Sequence, residues 1–383
     1  MKNKCKQKNT NAGFVLAMLI CVAIGICAGL MMPKYFDAVP ENHGTPIALA
    51  ILVVYVVIAF YGAIILHESG HLVFGILTGY RFSSFRIGSV MLIRIKGKLK
   101  LKLHSIKGTG GQCLLSPPDM LNGRIPYVLY MLGGVIFNTV SALGFGLLAY
   151  LLRAYVYASA FFFVLAVLNL ALGASNGIPI STATLDNDGK NAISLGQNPK
   201  ALRALWIQLK INSETADGKR LRDMPDEWFL LPDEENVENP LIASLITFRE
   251  NRLMDMRCFE EAESLIKKYK SSANMPGIYK TLMTLDEITL SAMRGADYSE
   301  IGSLFTKDVH TIMNSMKGFP QVIRTKYVFA LLVENNPSGA KGALDSFEKI
   351  KKTYPYTADL VAEEEIMKIA QSKTKDVSDT ESL

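Results

Sequence analysis

The sequence has few charged residues and no closely spaced pair of cysteines. Only 20% of its 383 residues are charged, and no charged residue occurs from Thr45 to Leu66. None of its five cysteines belongs to a Cys-x-x-Cys pair, so we expect no disulfide framework. The hydrophobic fraction is 49%. This balance favours a membrane protein over an ordinary soluble one.

Long uncharged runs fill the first half of the chain. A bilayer core about 30 Å thick requires roughly 20 apolar residues in a helix, and four segments reach that length. They are Gly13 to Met32, Pro46 to Leu77, Ile125 to Leu152 and Ala154 to Ala174. The first exceeds the roughly 7–15 apolar residues of a signal peptide, so we interpret it as a retained anchor. After about Gly189 the chain is charged and helix-forming, which predicts a region outside the lipid.

The basic residues of the short loops predict the orientation, because Lys and Arg are enriched on the cytoplasmic side. The first eleven residues carry four lysines and no acid, whereas residues 33–45 carry one lysine and two acids. Between the second and third spans, nine Lys and Arg residues oppose a single acid, Asp119. We therefore predict a multi-pass protein of the cell membrane with both termini in the cytoplasm.

The second apolar segment contains the motif His-Glu-x-x-His at residues 67–71. His67 and His71 share one face of a helix, so they can bind one Zn²⁺ at about 2.0–2.1 Å. Glu68 can then act as general base toward a water molecule that the metal activates. The motif also occurs by chance, but charged groups at membrane depth cost about 2.5–3.5 kcal/mol each and persist there mainly for function. We therefore predict a zinc site.

Catalytic zinc needs a third protein ligand and an open position. The third span runs outward and the fourth returns, so the segment after it emerges on the side where the histidines lie. Asp186 and Asp188 in this segment are the candidates for the third ligand. Asn176, Gly177 and Pro179 interrupt the helix just before them. Such irregular backbone is tolerated at membrane depth only beside protein or a water-filled cavity.

A His-Glu-x-x-His in a membrane helix, followed two spans later by an Asn/Pro element and an Asp-Gly, resembles the site-2 protease family of intramembrane zinc metalloproteases. The likeness covers residues 46–195, about 40% of the chain, and includes the small-residue and Asn stretch "GGVIFN". It implies His67, His71 and Asp188 as metal ligands, Glu68 as the catalytic residue, and Asn138, Asn176 and Pro179 as substrate-binding residues.

Two departures from the family's pattern leave alternatives open. The family often has a compact Leu-Asp-Gly, whereas here Asn187 separates Leu185-Asp186 from Asp188-Gly189, so Asp186 remains an alternative ligand. Gly133-Gly134 stands where many members have Gly-Pro. These glycines also suit close helix contact in lipid, and Asn138 suits a hydrogen bond between helices.

Residues 92–104 alternate basic and apolar side chains with the period of an amphipathic strand. One interpretation is a basic strand or hairpin on anionic lipid headgroups. The other, which draws on the resemblance, is an edge strand near the active site that pairs with an extended substrate. Gly110-Gly111 and Pro117-Pro118 predict a loop that returns to the membrane.

The chain divides into four predicted regions. Residues 1–45 hold the cytoplasmic N-terminus, the anchor and an external loop, and residues 46–195 form the membrane core. Residues 196–372 are predicted to form a cytoplasmic all-α domain, with stretches faintly similar to tetratricopeptide hairpins. Residues 373–383 are too polar to bury and are predicted to be disordered. The fold class is an α-helical polytopic membrane protein with about four transmembrane helices, a small amphipathic β element and this all-α domain.

The predicted function is an intramembrane zinc endopeptidase acting on a transmembrane protein or peptide precursor, with the lipid bilayer as its surroundings. The alternative is a catalytically idle scaffold that binds a protein partner through the cytoplasmic helices; the intact motif argues against it. A metal transporter would carry ionisable residues across the bilayer, whereas here they cluster at one face. The net charge of +6 is largely membrane-proximal, which favours lipid headgroups over nucleic acid.

Overall fold

The computed structural model describes residues 4–31, 44–106, 109–181 and 186–380. Most of the predicted external loop, 33–45, lies outside these ranges. The chain forms two compact units. The first unit comprises the residues up to 87 and residues 110–202, and the second comprises residues 88–109 and 203–383. The basic segment around residue 100 thus belongs to the second unit, although the sequence places it in the membrane core.

Four helices of the first unit are long and apolar enough to cross a membrane. They are α1 (Lys4–Met31), α2 (Gly44–Leu77), α3 (Tyr127–Leu151) and α4 (Val156–Gly177). Within their apolar windows only 6% to 28% of residues are buried. These helices confirm the prediction of a mostly helical fold with four long apolar segments, and their exposed surfaces are apolar enough to face lipid.

Small residues bring α2 and α3 into close contact. A Cβ atom added at Gly70 would clash with the carbonyl oxygen of Gly133, and one added at Gly133 would clash with that of Gly70. The two backbones therefore touch within the His-Glu-x-x-His motif, at Gly70. Gly133 serves the close helix contact that the sequence suggests for it.

The first unit also contains two paired strands and a short helix. Strand β1 (Arg81–Ile87) pairs antiparallel with β4 (Gly111–Ser116), and helix α5 (Asp188–Ser194) follows α4. The sequence predicts a loop from Gly110 to Pro118, and this is wrong for the residues of β4. Cys113 and Leu115 are buried at alternate positions. That pattern is too short to stand out between glycines and prolines.

The second unit begins with a β-hairpin. Strand β2 (Val90–Ile95) pairs antiparallel with β3 (Lys98–Leu103). Lys96 and Gly97 join them with positive φ angles of 49° and 76°, as a two-residue turn of type I′ requires. The basic segment is therefore a hairpin. One side of β2 packs inward through Met91 and Ile93.

The rest of the second unit is mainly α-helical, and the segment from residue 217 to 239 contains three short 3₁₀ helices. The α-helices of the unit are α6 (Pro199–Ala216), which starts in the first unit, α7 (Pro240–Met256), α8 (Phe259–Lys270), α9 (Gly277–Arg294), α10 (Tyr298–Gly302), α11 (Lys307–Ser315), α12 (Pro320–Leu332), α13 (Pro337–Lys351) and α14 (Thr357–Thr380). Helix α14 continues into the segment after residue 373 that the composition predicts to be disordered. No glycine or proline interrupts it.

A buried arginine joins three helices of this unit. Arg324 on α12 is 1% exposed and pairs with Asp286 on α9. Its Nε atom donates a hydrogen bond of 2.7 Å to a carboxylate oxygen of Glu363 on α14. Buried ions are costly to desolvate and are tolerated when they are paired and hydrogen-bonded. Helix α12 thus supplies the cation with which carboxylates of both other helices pair.

Asp359 on α14 borders a cavity of about 300 Å³ inside the same unit. Burial, with help from the neighbouring Glu363 and Asp255 carboxylates, raises the pKa of Asp359 to about 7, although Tyr354 donates it a hydrogen bond of 3.3 Å. An aspartate in an unfolded chain titrates near pH 3.9. The folded state therefore keeps a proton that the unfolded state releases. Asp359 destabilises the fold increasingly as the pH rises from about 4 to 7.

We expect Asp359→Asn to raise the free energy of unfolding at pH 8 by on the order of 2 kcal/mol, and to change it little at pH 4. Urea unfolding of the full chain in detergent, followed by the fluorescence of Trp206 and Trp228, measures this. Asp345→Asn, at an exposed position of α13, is the control and should be neutral at both pH values. An Asp359→Asn protein less stable than wild type at pH 8 would contradict the prediction.

Candidate metal centre

The two histidines lie near the end of α2, on the face that meets α3. One helical turn separates His67 from His71, and their ring centroids are 4.8 Å apart. Both residues are buried, at 8% and 9% exposure. The helical spacing thus brings the imidazoles together as the sequence predicts.

A chain of buried amides orients the His67 ring. Asn138 on α3 is fully buried, and its amide nitrogen donates to Ala63 O at 3.0 Å and to Asn169 Oδ1 at 2.8 Å. Asn169 in turn donates to Leu165 O at 2.8 Å. With both amide hydrogens used, Asn138 Oδ1 can only accept, and it lies 2.6 Å from His67 Nδ1. The Nδ1 atom of His67 therefore carries the hydrogen, which leaves the Nε2 lone pair for a metal.

A backbone carbonyl group orients the His71 ring. Its Nδ1 atom donates a hydrogen bond of 2.7 Å to Tyr130 O on α3. This contact turns His71 Nε2 toward His67 Nε2, at a distance of 3.2 Å. Both rings thus turn their Nε2 atoms toward the same point.

Asp188, the first residue of α5, completes the group. Its Oδ2 atom lies 3.1 Å from His67 Nε2 and 3.4 Å from His71 Nε2. Burial opposes ionisation, but hydrogen bonds and positive charge from the two imidazoles lower the pKa of Asp188 to about 2. Asp186, the other candidate, does not join this group; it forms an isolated β-bridge with Ser181.

The spacing of the three donor atoms fits a tetrahedral metal. Ligands at about 2.0–2.1 Å from zinc in tetrahedral geometry lie about 3.3 Å from one another. The three distances found here are 3.1, 3.2 and 3.4 Å. Within the described part of the chain, no fourth His, Cys, Asp or Glu belongs to the set. Three protein ligands and one open position are the pattern of catalytic rather than structural zinc.

Glu68 lies between the two histidines in sequence and faces strand β4. It is 8% exposed. A Cβ atom added at Gly111, the first residue of β4, would lie 2.7 Å from Glu68 Oε1. Glycine at this position therefore makes room for the carboxyl group, which lies between the strand and the helix that bears the histidines.

The remaining predicted residues lie apart from the donor atoms. Asn176 donates a hydrogen bond of 3.0 Å to Leu172 O on its own helix. Pro179 is exposed, and its carbonyl oxygen closely approaches Gly13 of α1. Asn138 Oδ1 lies 2.6 Å from Nδ1 of His67, the ring nitrogen that faces away from the other donor atoms. The binding of substrate by these three residues stays a prediction.

Two contacts at the centre had no clear signal in the sequence. The carbonyl group of Tyr130 orients His71, but any residue at that position supplies a carbonyl group. Asn187 appears in the sequence only as an interruption of the Leu-Asp-Gly pattern, yet it begins the helix that positions Asp188.

Family models, curated proteins and solved structures give no match to this chain. The resemblance to the site-2 protease family therefore depends on the sequence motifs alone.

We expect Gly134→Ala to weaken metal binding about 10–100-fold, the effect typical of disturbing the groups around metal ligands. A Cβ atom at Gly134 would lie 2.5 Å from His67 Cε1 and 2.6 Å from its Nδ1. The ring would have to move away from Asn138, with loss of the hydrogen bond that orients it. Competition with a zinc-selective dye measures the affinity.

Gly144→Ala is the matched control for this substitution. Gly144 lies on the same helix, and a Cβ atom there would meet no other atom within 4 Å. It should bind zinc as tightly as wild type. Equal affinities for Gly134→Ala and wild type would show that His67 does not depend on this close contact.

Proposed function

We propose that this chain is an intramembrane zinc endopeptidase of the site-2 protease type, which hydrolyses a peptide bond within or next to a transmembrane segment. The observation that supports this most is the donor spacing of 3.1–3.4 Å among His67, His71 and Asp188. The donors come from two helices more than 100 residues apart in sequence, and α3 orients both imidazoles. A coincidental histidine pair would not account for that arrangement.

His67, His71 and Asp188 would hold the zinc ion, which when bound supplies Lewis-acid activation of a water molecule and of the scissile carbonyl group. Glu68 accepts a proton from the attacking water as its oxygen joins the carbonyl carbon. It then returns that proton to the leaving amine as the carbon–nitrogen bond breaks. Asn138 and the Tyr130 carbonyl keep the two rings in place throughout.

The long apolar helices explain where this chemistry takes place. We propose that α1 to α4 cross the cell membrane and that both chain termini face the cytoplasm. The centre then lies near the cytoplasmic end of α2, where a substrate helix can unwind. Water reaches the reaction most easily at that depth.

Strand β4 is the element best placed to bind an unwound substrate. It pairs with β1 along one edge, and no strand of the described residues pairs with its other edge. Gly111 at its start contacts Glu68. The sequence suggests residues 92–104 as the edge strand that pairs with an extended substrate. We propose that β4 has this role instead. The basic hairpin of β2 and β3 retains the proposed contact with lipid headgroups.

The partners follow from this function. The substrate is a transmembrane protein or a peptide precursor, and the helices of the second unit suit a protein partner rather than nucleic acid. A scaffold without activity is the alternative. It has no use for imidazoles whose Nδ1 atoms are both engaged and whose Nε2 atoms converge on one point.

Removal of the metal tests the proposal. Purified protein should contain about one zinc ion per chain, and chelation should abolish cleavage of a single-span substrate in liposomes until zinc is restored. In His71→Ala, zinc should not restore cleavage, because the site keeps only two ligands. Cleavage that survives complete zinc removal would refute the proposal, as would unchanged zinc content in His71→Ala.

A further inference from the structure

Asn187 uses its whole side-chain amide in four hydrogen bonds. Its Oδ1 atom accepts from the backbone N–H groups of Lys190 and Ile180, each at 3.0 Å. Its Nδ2 atom donates to Ser175 O at 2.9 Å and to Ile178 O at 2.6 Å. Two accepted and two donated bonds exhaust the capacity of an asparagine amide.

These bonds connect two helix ends. The last carbonyl groups of a helix lack partners within it, as do its first N–H groups. Asn187 satisfies carbonyl groups of Ser175 and Ile178, at the end of α4, and it caps the start of α5 through Lys190. One side chain thus bonds to both helix ends.

The connection matters because Asp188 follows directly. Asn187 is the N-cap of α5 and Asp188 is its first residue, with Oδ2 at 3.1 Å from His67 Nε2. Gly189 then packs so closely on α4 that an added Cβ atom would clash with Gly177 O. The start of α5 therefore has little freedom relative to α4, and the third metal ligand inherits that restriction.

We propose that Asn187 is a positioning residue, which tethers the start of α5 to the end of α4 and thereby places Asp188 at the metal. This inference rests on the proposed zinc function. It also gives a reason for the departure from a compact Leu-Asp-Gly sequence. The additional residue, Asn187, positions the aspartate that follows it through the hydrogen bonds of its side chain. We therefore expect substitutions of Asn187 to change metal binding itself and not only activity.

Capping of α5 alone would require fewer hydrogen bonds from the Asn187 side chain. An N-cap needs only the accepting Oδ1 atom, and aspartate or serine can supply such an atom. The tether also needs the two donated bonds to α4. Asn187→Asp keeps the acceptor, loses both donors, and places carboxylate oxygens against the carbonyl groups of Ser175 and Ile178. This substitution separates a tether from a cap.

The test is Co²⁺ binding to the full chain in detergent, since the visible spectrum of bound Co²⁺ reports both affinity and ligand set. We expect Asn187→Ala and Asn187→Asp to weaken binding about 10–100-fold. Their spectra should shift toward that of Asp188→Ala. Asn191→Ala is the matched control: it removes one hydrogen bond to Asp186 O from the same helix, touches no α4 carbonyl group, and should bind as wild type does.

Each outcome of this experiment either supports or overturns the inference about Asn187. If wild type binds Co²⁺ and Asn187→Asp binds it equally well with an unchanged spectrum, Asn187 is only a helix cap and the inference is overturned while the zinc function stands. If wild type binds no metal, the proposed function fails and the inference fails with it. Melting temperatures of all variants are measured in parallel. A loss of stability without loss of affinity or change of spectrum counts against the inference.

Discussion

Glu68→Gln is expected to abolish proteolysis while leaving zinc in place. A general base contributes about 10²–10⁴-fold to a reaction rate. Glutamine has nearly the same shape but cannot accept the proton of the attacking water at neutral pH. Glu68 does not belong to the donor group, so the zinc content should stay at about one ion per chain. Cleavage of a single-span substrate in liposomes and metal analysis of the same sample measure the two effects.

Glu261→Gln is the control for the Glu68 substitution. It makes the same chemical change at an exposed position of α8, in the second unit, and should leave cleavage unchanged. A Glu68→Gln protein that cleaves as well as wild type would end the protease proposal. One that loses zinc would show that Glu68 holds the metal rather than serving as base.

Asp188→Asn should lower both zinc affinity and cleavage, whereas Asp186→Asn should change neither appreciably. A neutral amide is a poorer zinc ligand than a carboxylate, and Asp188 Oδ2 lies within 3.4 Å of both imidazole nitrogens. We expect at least a 10-fold loss of affinity for Asp188→Asn, on the scale of disturbed metal sites. Zinc competition assays on both variants measure it.

The two variants are controls for each other, because each replaces an aspartate by asparagine and the two positions are two residues apart. Asp186 offers its backbone carbonyl group to Asn191, at 3.0 Å, and that contact survives the change to asparagine. Loss of zinc in Asp186→Asn with none in Asp188→Asn would reverse the assignment. Loss in both would indicate that the segment, rather than one carboxylate, determines the affinity.

The regular parts of the molecule could be predicted because helices impose a fixed spacing. Apolar runs identified α2, α3 and α4, and a four-residue interval placed His67 and His71 on one face. The family resemblance favoured Asp188 as the third ligand, but the sequence left Asp186 as an alternative. Both follow an irregular stretch, and the contacts that accompany Asp188 include hydrogen bonds between Asn187 and atoms 7 to 12 residues earlier, which no sequence period reveals.

The strands were harder to predict for a different reason. In residues 92–104 the alternation of Lys and Leu continues through the turn, so it conceals the break at Lys96 and Gly97. In β4 only two buried positions, Cys113 and Leu115, mark the alternation. Periodicity identifies an element only when several repeats lie between its ends.

The buried Arg324 has a consequence for the order of events during synthesis. Helices α9 and α12 leave the ribosome before Glu363 does, and until then the guanidinium group has its ion pair with Asp286 but not the one with Glu363. A buried ion pair that loses a partner is destabilised by about 3–5 kcal/mol. We expect the nascent helices to stay loosely associated until α14 arrives. Limited proteolysis of stalled chains, with and without residue 363, would detect that delayed closure.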